Sequence, residues 1–164
     1  MTEEEKLLVF KDLSARLPYG VKMKVTLDLS YDTSYDSVEQ HCDFDATLYA
    51  INIDGDPTDI LIYHEDEETA NYLNEQFTEC PDILEDFVPY LRPMSSMTKE
   101  ETEKYHQLCE TDDGDFTGEI LYFNTCESFD YLNSIHVDYR NMIENGLALT
   151  APDGLYDEKY QNNG

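Results

Sequence analysis

The stretch VKMKVTLDLS, residues 21–30, alternates between two kinds of side chain. Valine, methionine and leucine hold its odd positions, and lysine, threonine, aspartate and serine hold its even ones. Successive side chains of a strand point to opposite faces of a sheet, so this period of two predicts a β-strand with one buried face. No other part of the chain has so regular a strand pattern.

A helix is predicted directly before this strand. Thr2 and Glu5 have the spacing of a capping box, in which each side chain bonds the backbone N–H of the other residue. Pro18 and Gly20 end the pattern. The expected buried face has three apolar residues at helical spacing, Phe10, Leu13 and Leu17.

A β-hairpin is predicted after the strand, from Asp45 to His64. Residues 45–54 alternate, and residues 58–64 form a second run that favours a strand. Between the two runs, Asp54-Gly55-Asp56-Pro57 has turn chemistry. The inward face of the first strand is expected to carry Ala46, Leu48 and Ala50.

The remaining patterns add further elements. They predict a helix over Glu65–Phe77 and a strand over Thr117–Asn124. A capping box of Thr98 and Glu101 predicts a second helix, from Lys99 to about Glu110. Two further helices are predicted, one that begins after Thr125 and a short one between Asp138 and Gly146. Together, these elements predict one α+β domain over residues 1–153, with a mostly antiparallel sheet and helices packed on one side. Residues 154–164 are expected to form a loose polar tail.

The chain is strongly acidic, with 37 Asp and Glu against 10 Lys and Arg and a net charge of −27. Disordered acidic chains have few aromatic residues, whereas this chain has 13 Tyr and 7 Phe, which favours a folded protein. Nucleic acids and anionic membranes require a basic patch, so direct binding to either is excluded as a function class. A protein that itself has a basic patch is the partner that this charge suits.

The negative charge is concentrated in residues 31–91, here called the acidic segment. It contains 17 Asp and Glu and no Lys or Arg, whereas residues 1–30 have a net charge of zero. Arg92 follows directly, and one interpretation pairs it with the acidic segment. Another interpretation is that the charge only keeps the protein in solution, as in an acidic adaptor without mimicry.

The acidic segment supplies a candidate partner-binding face. Carboxylates two apart on a strand stand about 6.6 Å from each other, and those four apart on a helix about 6 Å, of the same order as neighbouring phosphates of a nucleic acid. The candidate residues are Asp32, Asp36, Glu39, Asp43, Asp45, Asp54, Asp56, Asp59, Glu65, Asp66, Glu67 and Glu68.

Catalytic and metal signatures are weak. Ligand pairs with zinc spacing, a twelve-residue calcium loop and glycine-rich phosphate loops do not occur in the sequence, so no metal, cofactor or catalytic residue is predicted. An alternative is a small hydrolase or metal-dependent enzyme around His136, Asp138 and Cys126. A triad is defined by geometry, however, and sequence proximity does not establish one.

The N-terminus, MTEEEKLL, is acidic rather than basic, and no apolar run approaches the roughly 18 residues of a membrane span. The four cysteines are widely spaced, and without an export signal they are expected to be free thiols. The expected location is the cytoplasm.

Three blocks resemble recurring sequences of a family of short proteins from gut anaerobic bacteria and their phages and prophages. They are KDLSARLPYGVK (residues 11–22), PYLRPMSSMTKEE (residues 89–101) and NSIHVDYRNMIENGLALTAPDGLY (residues 133–156), about a third of the chain. The resemblance implies a context and no activity: a phage or mobile-element accessory protein in the host cytoplasm. With the charge, it leads to the expectation of an inhibitor that mimics nucleic acid and blocks a basic, nucleic-acid-binding host protein, such as an immunity nuclease.

Overall fold

The computed structural model describes residues 1–28, 41–52, 59–63, 87–109 and 125–157. The helices in these ranges are α1 (Glu3–Arg16), α2 (Lys99–Cys109) and α3 (Cys126–Ser134). The strands are β1 (Lys22–Asp28), β2 (His41–Asn52), β3 (Asp59–Tyr63), β4 (Phe87–Pro93), β5 (Val137–Asp138) and β6 (Leu149–Thr150). Short 3-10 turns follow α1 at Leu17–Tyr19 and β4 at Met94–Ser96.

The strands form one mixed, mostly antiparallel sheet in the order β3-β2-β1-β4-β5, and β6 also pairs with β4. β1 is antiparallel to both β2 and β4, and β2 is antiparallel to β3. The two-residue strands β5 and β6 run parallel to β4. The predicted α+β class is therefore confirmed.

β1 lies at the centre of the sheet, as its alternating sequence predicts. Val21, Met23 and Val25 are fully buried, whereas Lys22 and Lys24 on the other face are half-buried. Each such apolar side chain contributes about 1.5–3 kcal/mol when it leaves water. The core beneath β1 also contains Ala46, Leu48, Phe87 and Leu91 from the neighbouring strands, and Val9 and Leu13 from α1.

α1 begins and ends where the sequence predicts, but its buried face is different. The Thr2–Glu5 capping box is present, and Gly20 takes a left-handed conformation with φ 64° after the 3-10 turn. The buried residues of α1 are Val9, Asp12, Leu13 and Arg16, while Phe10 and Leu17 are only half-buried. Leu17 still packs against the core, so the predicted face was wrong only at Phe10, and α1 also turns a charged pair, Asp12 and Arg16, inward.

The strands of the predicted hairpin pair as expected, with Thr47 opposite Tyr63 and Asn52 opposite Asp59. The register shifts between Leu48 and Ala50, so Tyr49 is the extra residue of a β-bulge, and it is 70% exposed. A bulge reverses which residues face inward beyond it. Ile51 therefore packs against the core, and the predicted inward position of Ala50 was wrong. The turn residues 53–58 lie outside the described residues.

The caps of the later helices are also as predicted. Thr98 and Glu101 form a capping box at α2, and Thr125 caps α3. Residues 139–145 were predicted as a short helix but form bends and turns, and Gly146 follows with φ 72°. The predicted helix Glu65–Phe77 and strand Thr117–Asn124 lie outside the described residues.

β4 was not predicted as a strand, because Pro89 and Pro93 cannot donate a backbone hydrogen bond and usually argue against a central strand. The burial of β4 nevertheless alternates, with Phe87, Pro89 and Leu91 inward. Within the described ranges, no helix has the length and apolar character needed to span a membrane.

Candidate functional site

The structure describes three of the twelve candidate acidic residues. Asp43 and Asp45 lie on β2, and Asp59 is the first residue of β3. The other nine lie outside the described residues: Asp32, Asp36, Glu39, Asp54, Asp56, Glu65, Asp66, Glu67 and Glu68. These three candidates thus lie on two paired strands of the sheet.

Asp45 is exposed on the face of the sheet opposite the apolar core. Lys24 of β1 lies directly across from it in the register. The hydroxyl of Tyr90 on β4 donates a hydrogen bond of 2.9 Å to Asp45 Oδ1. One carboxylate of the acidic segment is therefore held in place by a side chain from another strand of the sheet.

Among the described residues, the carboxylates that pair with the arginines lie outside the acidic segment. All three, Arg16, Arg92 and Arg140, lie in described residues, and their carboxylate partners are Asp12 and Glu101. Both partners are outside residues 31–91. Within the described residues, the carboxylate that Arg92 pairs with is Glu101 and not one of the acidic segment, contrary to the interpretation made from its position in the sequence.

Asp12, Arg16 and Arg140 form a partly buried ion cluster, here called the Asp12 cluster. Arg16 Nε donates to Asp12 Oδ2 at 2.7 Å, and Arg140 Nη1 donates to Asp12 Oδ1 at 2.9 Å. Arg16 also donates to the carbonyl of Val137 at 2.9 Å, and both guanidinium groups lie over the ring of Tyr139. Asp12 and Arg16 are completely buried and Arg140 is 26% exposed, so this cluster connects α1 to residues 137–140 largely from inside the fold.

His136 and Asp138, two residues of the enzyme alternative, are also buried. His136 is 2% exposed and its ring stacks on Tyr156 with 3.8 Å between centroids. Burial, together with the nearby Arg16, lowers the pKa of His136 to about 3, which keeps its imidazole neutral. Asp138 accepts hydrogen bonds from the backbone N–H groups of Met142 and Ile143, both at 2.9 Å. These contacts are those of packing and turn stabilisation.

Cys126, the third residue of that alternative, is an exposed free thiol at the first position of α3. Cys109 is a buried free thiol, so the expectation of free thiols is confirmed for these two cysteines. No group of three or more metal-ligating side chains occurs among the described residues.

Tyr156 joins the C-terminal part of the chain to the sheet. Its hydroxyl accepts a hydrogen bond of 3.0 Å from the backbone N–H of Lys22 and donates one of 2.7 Å to the carbonyl of Tyr90. Burial raises the pKa of Tyr156 well above its usual range, so the hydroxyl keeps its proton. Residues 154–157, within the predicted loose tail, instead form a turn that positions this side chain.

A cleft of about 490 Å³ lies beside Tyr156, where the end of β4, the start of α2 and residues 150–157 meet. Arg92 and Glu101 form a bidentate ion pair on its wall, with N–O distances of 2.8 and 2.9 Å. The hydrogen bonds from Arg92 lower the pKa of Glu101, and those to Glu101 raise the pKa of Arg92. Both groups are therefore charged.

The cleft was not predicted from the sequence. Its walls come from three stretches that are far apart in the chain, and only the capping box of α2 gave a local signal. The spacing of Asp12 and Arg16, four residues apart on a helix, was a readable signal of an ion pair. Comparison of the chain with protein-family models, with curated proteins and with solved structures found no match.

Proposed function

We propose that the protein binds a basic, nucleic-acid-binding protein through the acidic segment and blocks its nucleic-acid site as a mimic. The observation that carries this proposal is that 17 carboxylates of residues 31–91 have no Lys or Arg among them, while all three arginines pair with carboxylates elsewhere. A host protein of bacterial immunity, such as a nuclease, is the proposed partner, and the host cytoplasm the proposed place of action.

The mechanism is competitive occupation of a phosphate-binding surface. Arginine and lysine side chains that bind phosphates also bind carboxylates, in the case of arginine through two parallel hydrogen bonds. Strands β2 and β3 of the acidic segment belong to the sheet, so at least Asp43, Asp45 and Asp59 have fixed backbone positions. A preformed surface binds with a smaller loss of conformational freedom than a disordered acidic tail.

The charge also determines the kinetics of this binding. A net charge of −27 attracts a basic partner over a distance set by the ionic strength, so association is fast and weakens steeply with salt. The enzyme alternative has no support from the positions of His136 and Asp138, since both are buried in structural contacts.

The test begins with capture of partners from a bacterial lysate on the immobilised protein, followed by mass spectrometry. Each captured protein is then titrated against its labelled nucleic acid in the presence of this protein, with fluorescence anisotropy as the readout. The expected result is competition that disappears in the variant Asp54→Lys, Asp56→Lys, Asp59→Lys.

The matched control is Glu127→Lys, Asp130→Lys, Glu144→Lys, which changes the net charge equally through exposed residues outside the acidic segment. This control should still compete with the nucleic acid for the captured protein, because it reduces only the long-range electrostatic attraction and leaves the acidic segment unchanged. Equal loss of competition in both variants, or captured proteins without a basic nucleic-acid site, would show that the proposed function is wrong.

A further inference from the structure

The cleft beside Tyr156 has the size of a site for a small molecule or a single side chain, because pockets for such groups measure about 300–1,000 Å³. Its volume is about 490 Å³. Neither the acidic segment nor the Asp12 cluster contributes to its lining. The charges and apolar groups on its walls indicate the chemistry of its occupant.

An anion does not suit this cleft. Arg92 is its cationic group, and that guanidinium already donates to both oxygens of Glu101, to the carbonyl of Ser96 at 3.1 Å and to the carbonyl of Ile135 at 3.4 Å. An incoming phosphate or carboxylate would have to displace Glu101 from a bidentate pair. It would also meet the negative charges of Asp153 and Asp157.

A cation with an aliphatic stem does suit it. Asp153 and Asp157 are exposed, and among the described residues neither carboxylate lies within ion-pair distance of a cation, although the charge of Asp157 helps to raise the pKa of Arg92. They lie in one turn, closed by a hydrogen bond of 3.2 Å from the N–H of Asp157 to the carbonyl of Gly154. Pro93, Pro152 and Leu155 add apolar wall against which methylene groups can pack.

The cleft also adjoins the acidic segment. Tyr90 and Arg92 are two residues apart on β4, so their side chains leave the same face of the sheet, about 6.6 Å from each other. Tyr90 contacts Asp45 of the acidic segment, and Arg92 lines the cleft. A protein bound at Asp45 therefore has side chains of its own close to the cleft.

We propose that the cleft receives an arginine side chain of the bound basic protein. The guanidinium lies between the carboxylates of Asp153 and Asp157, and its methylene stem packs on the prolines. The identity of the occupant as part of a partner protein rests on the proposed function. The preference of the cleft for a guanidinium group is measured without any partner.

The probe is N-acetyl-L-arginine amide, with N-acetyl-L-citrulline amide as the uncharged analogue of the same shape. Titrations are followed by ¹H–¹⁵N chemical shifts of the full chain, which also report whether each variant is folded. The arginine probe should shift the amides of residues 150–157 and the side chain of Arg92, and citrulline should not. The variant Asp153→Asn, Asp157→Asn should weaken binding about three- to tenfold, the loss of two exposed ion pairs.

The control is Glu127→Gln, Asp130→Asn, which removes the same charge from α3 and should bind the probe like the original protein. The inference is overturned if citrulline binds equally, if Asp153→Asn, Asp157→Asn behaves like the control, or if inorganic phosphate shifts the same amides at lower concentration. None of these results depends on the acidic segment. The proposed function is tested separately, by the competition experiment with the variant of Asp54, Asp56 and Asp59, so the failure of one proposal is distinguishable from the failure of the other.

Discussion

Asp12 is completely buried and holds two arginines, one from its own helix and one 128 residues away. Replacing Asp12 with Asn would leave the buried guanidinium of Arg16 without its counter-charge. Breaking a buried pair in this way costs about 3–5 kcal/mol. We expect Asp12→Asn to lower the free energy of unfolding by that amount, measured by urea denaturation.

A matched comparison is Glu103→Gln, which removes an exposed ion pair with Lys99, also four residues apart on a helix. Exposed helix pairs of this spacing contribute about 0.3–0.5 kcal/mol. If the free energy of unfolding falls by similar amounts in the two variants, the burial of Asp12 does not determine its contribution to stability.

His136 gives stability a pH dependence whose sign follows from its lowered pKa. The folded protein binds a proton on His136 only near pH 3, whereas the unfolded chain binds it near pH 6.5. Stability therefore falls as pH decreases through this range, by up to about 1.4 kcal/mol per pH unit. Carboxylates in general also titrate in part of this pH range. The effect of His136 is therefore measured as the difference in stability between the original protein and a variant of His136 at each pH.

The suitable variant is His136→Asn, because His136 has a φ of 56° and asparagine tolerates that left-handed conformation. The variant should be less stable than the original protein at pH 7, since it loses the stacking on Tyr156. The stability difference should narrow as pH falls from 6.5 toward 4, in chemical denaturation at each pH. A constant difference would contradict the buried, neutral state of His136.

What the sequence predicts at the level of residues depends on distance along the chain. The Thr2–Glu5 and Thr98–Glu101 caps were predicted correctly because both partners lie within one turn of a helix. The contact of Asp12 with Arg140 has no local pattern, and it decides which side of α1 is buried. The error at Phe10 is therefore one that a local pattern does not reveal.

At the level of elements, Thr125 joins two helices. Its side chain accepts a hydrogen bond from the N–H of Ser128 as the cap of α3, and donates one of 2.9 Å to the carbonyl of Leu108 in α2. Thr125→Ala should therefore cost about 1–2 kcal/mol of stability, the upper part of the range for a cap. Thermal and urea denaturation provide the measurement.

Thr150→Ala is the control, because Thr150 is exposed on β6 and its loss should change stability by less than about 0.5 kcal/mol. Helical content by circular dichroism should fall only in Thr125→Ala. If both variants unfold at the same urea concentration, Thr125 does not connect the helices as described.

Element prediction failed where tertiary contacts override the local pattern. β4 contains two prolines and still pairs with β1, at Met23–Pro89 and Val25–Phe87. The bulge at Tyr49 leaves no mark in the alternation of β2, yet it brings Ile51 and not Ala50 to the core. β1, by contrast, was predicted correctly because its alternation of apolar and polar side chains agrees with its position at the centre of the sheet, where one face covers the core.

At the level of the whole molecule, the net charge of −27 opposes folding through repulsion. Sodium chloride shortens the range of this repulsion to about 8 Å at 0.15 M. We expect the melting temperature to rise between about 0.01 and 0.15 M salt, measured by differential scanning calorimetry. The variant Asp54→Lys, Asp56→Lys, Asp59→Lys should rise less, and a melting temperature independent of salt would contradict the repulsion.

The concentration of charge in residues 31–91 was readable from the sequence, since it requires only counting. The cleft was not, because its walls come from β4, α2 and residues 150–157, and their approach depends on the whole sheet. Even the position of Arg92 next to the acidic segment in the chain was misleading, as its partner Glu101 lies nine residues further on.

Three buried or half-buried contacts connect the two ends of the described chain, Arg16 to Val137, Asp12 to Arg140 and Lys22 to Tyr156, across 121, 128 and 134 residues. On a ribosome, α1 and β1 emerge long before residues 137–156 exist. Arg16 then lacks the carbonyl of Val137, and the backbone N–H of Lys22 lacks the hydroxyl of Tyr156, until those residues have been made. Chains of such high contact order fold slowly, and a chain interrupted before Tyr156 would be an early substrate for chaperones and proteases.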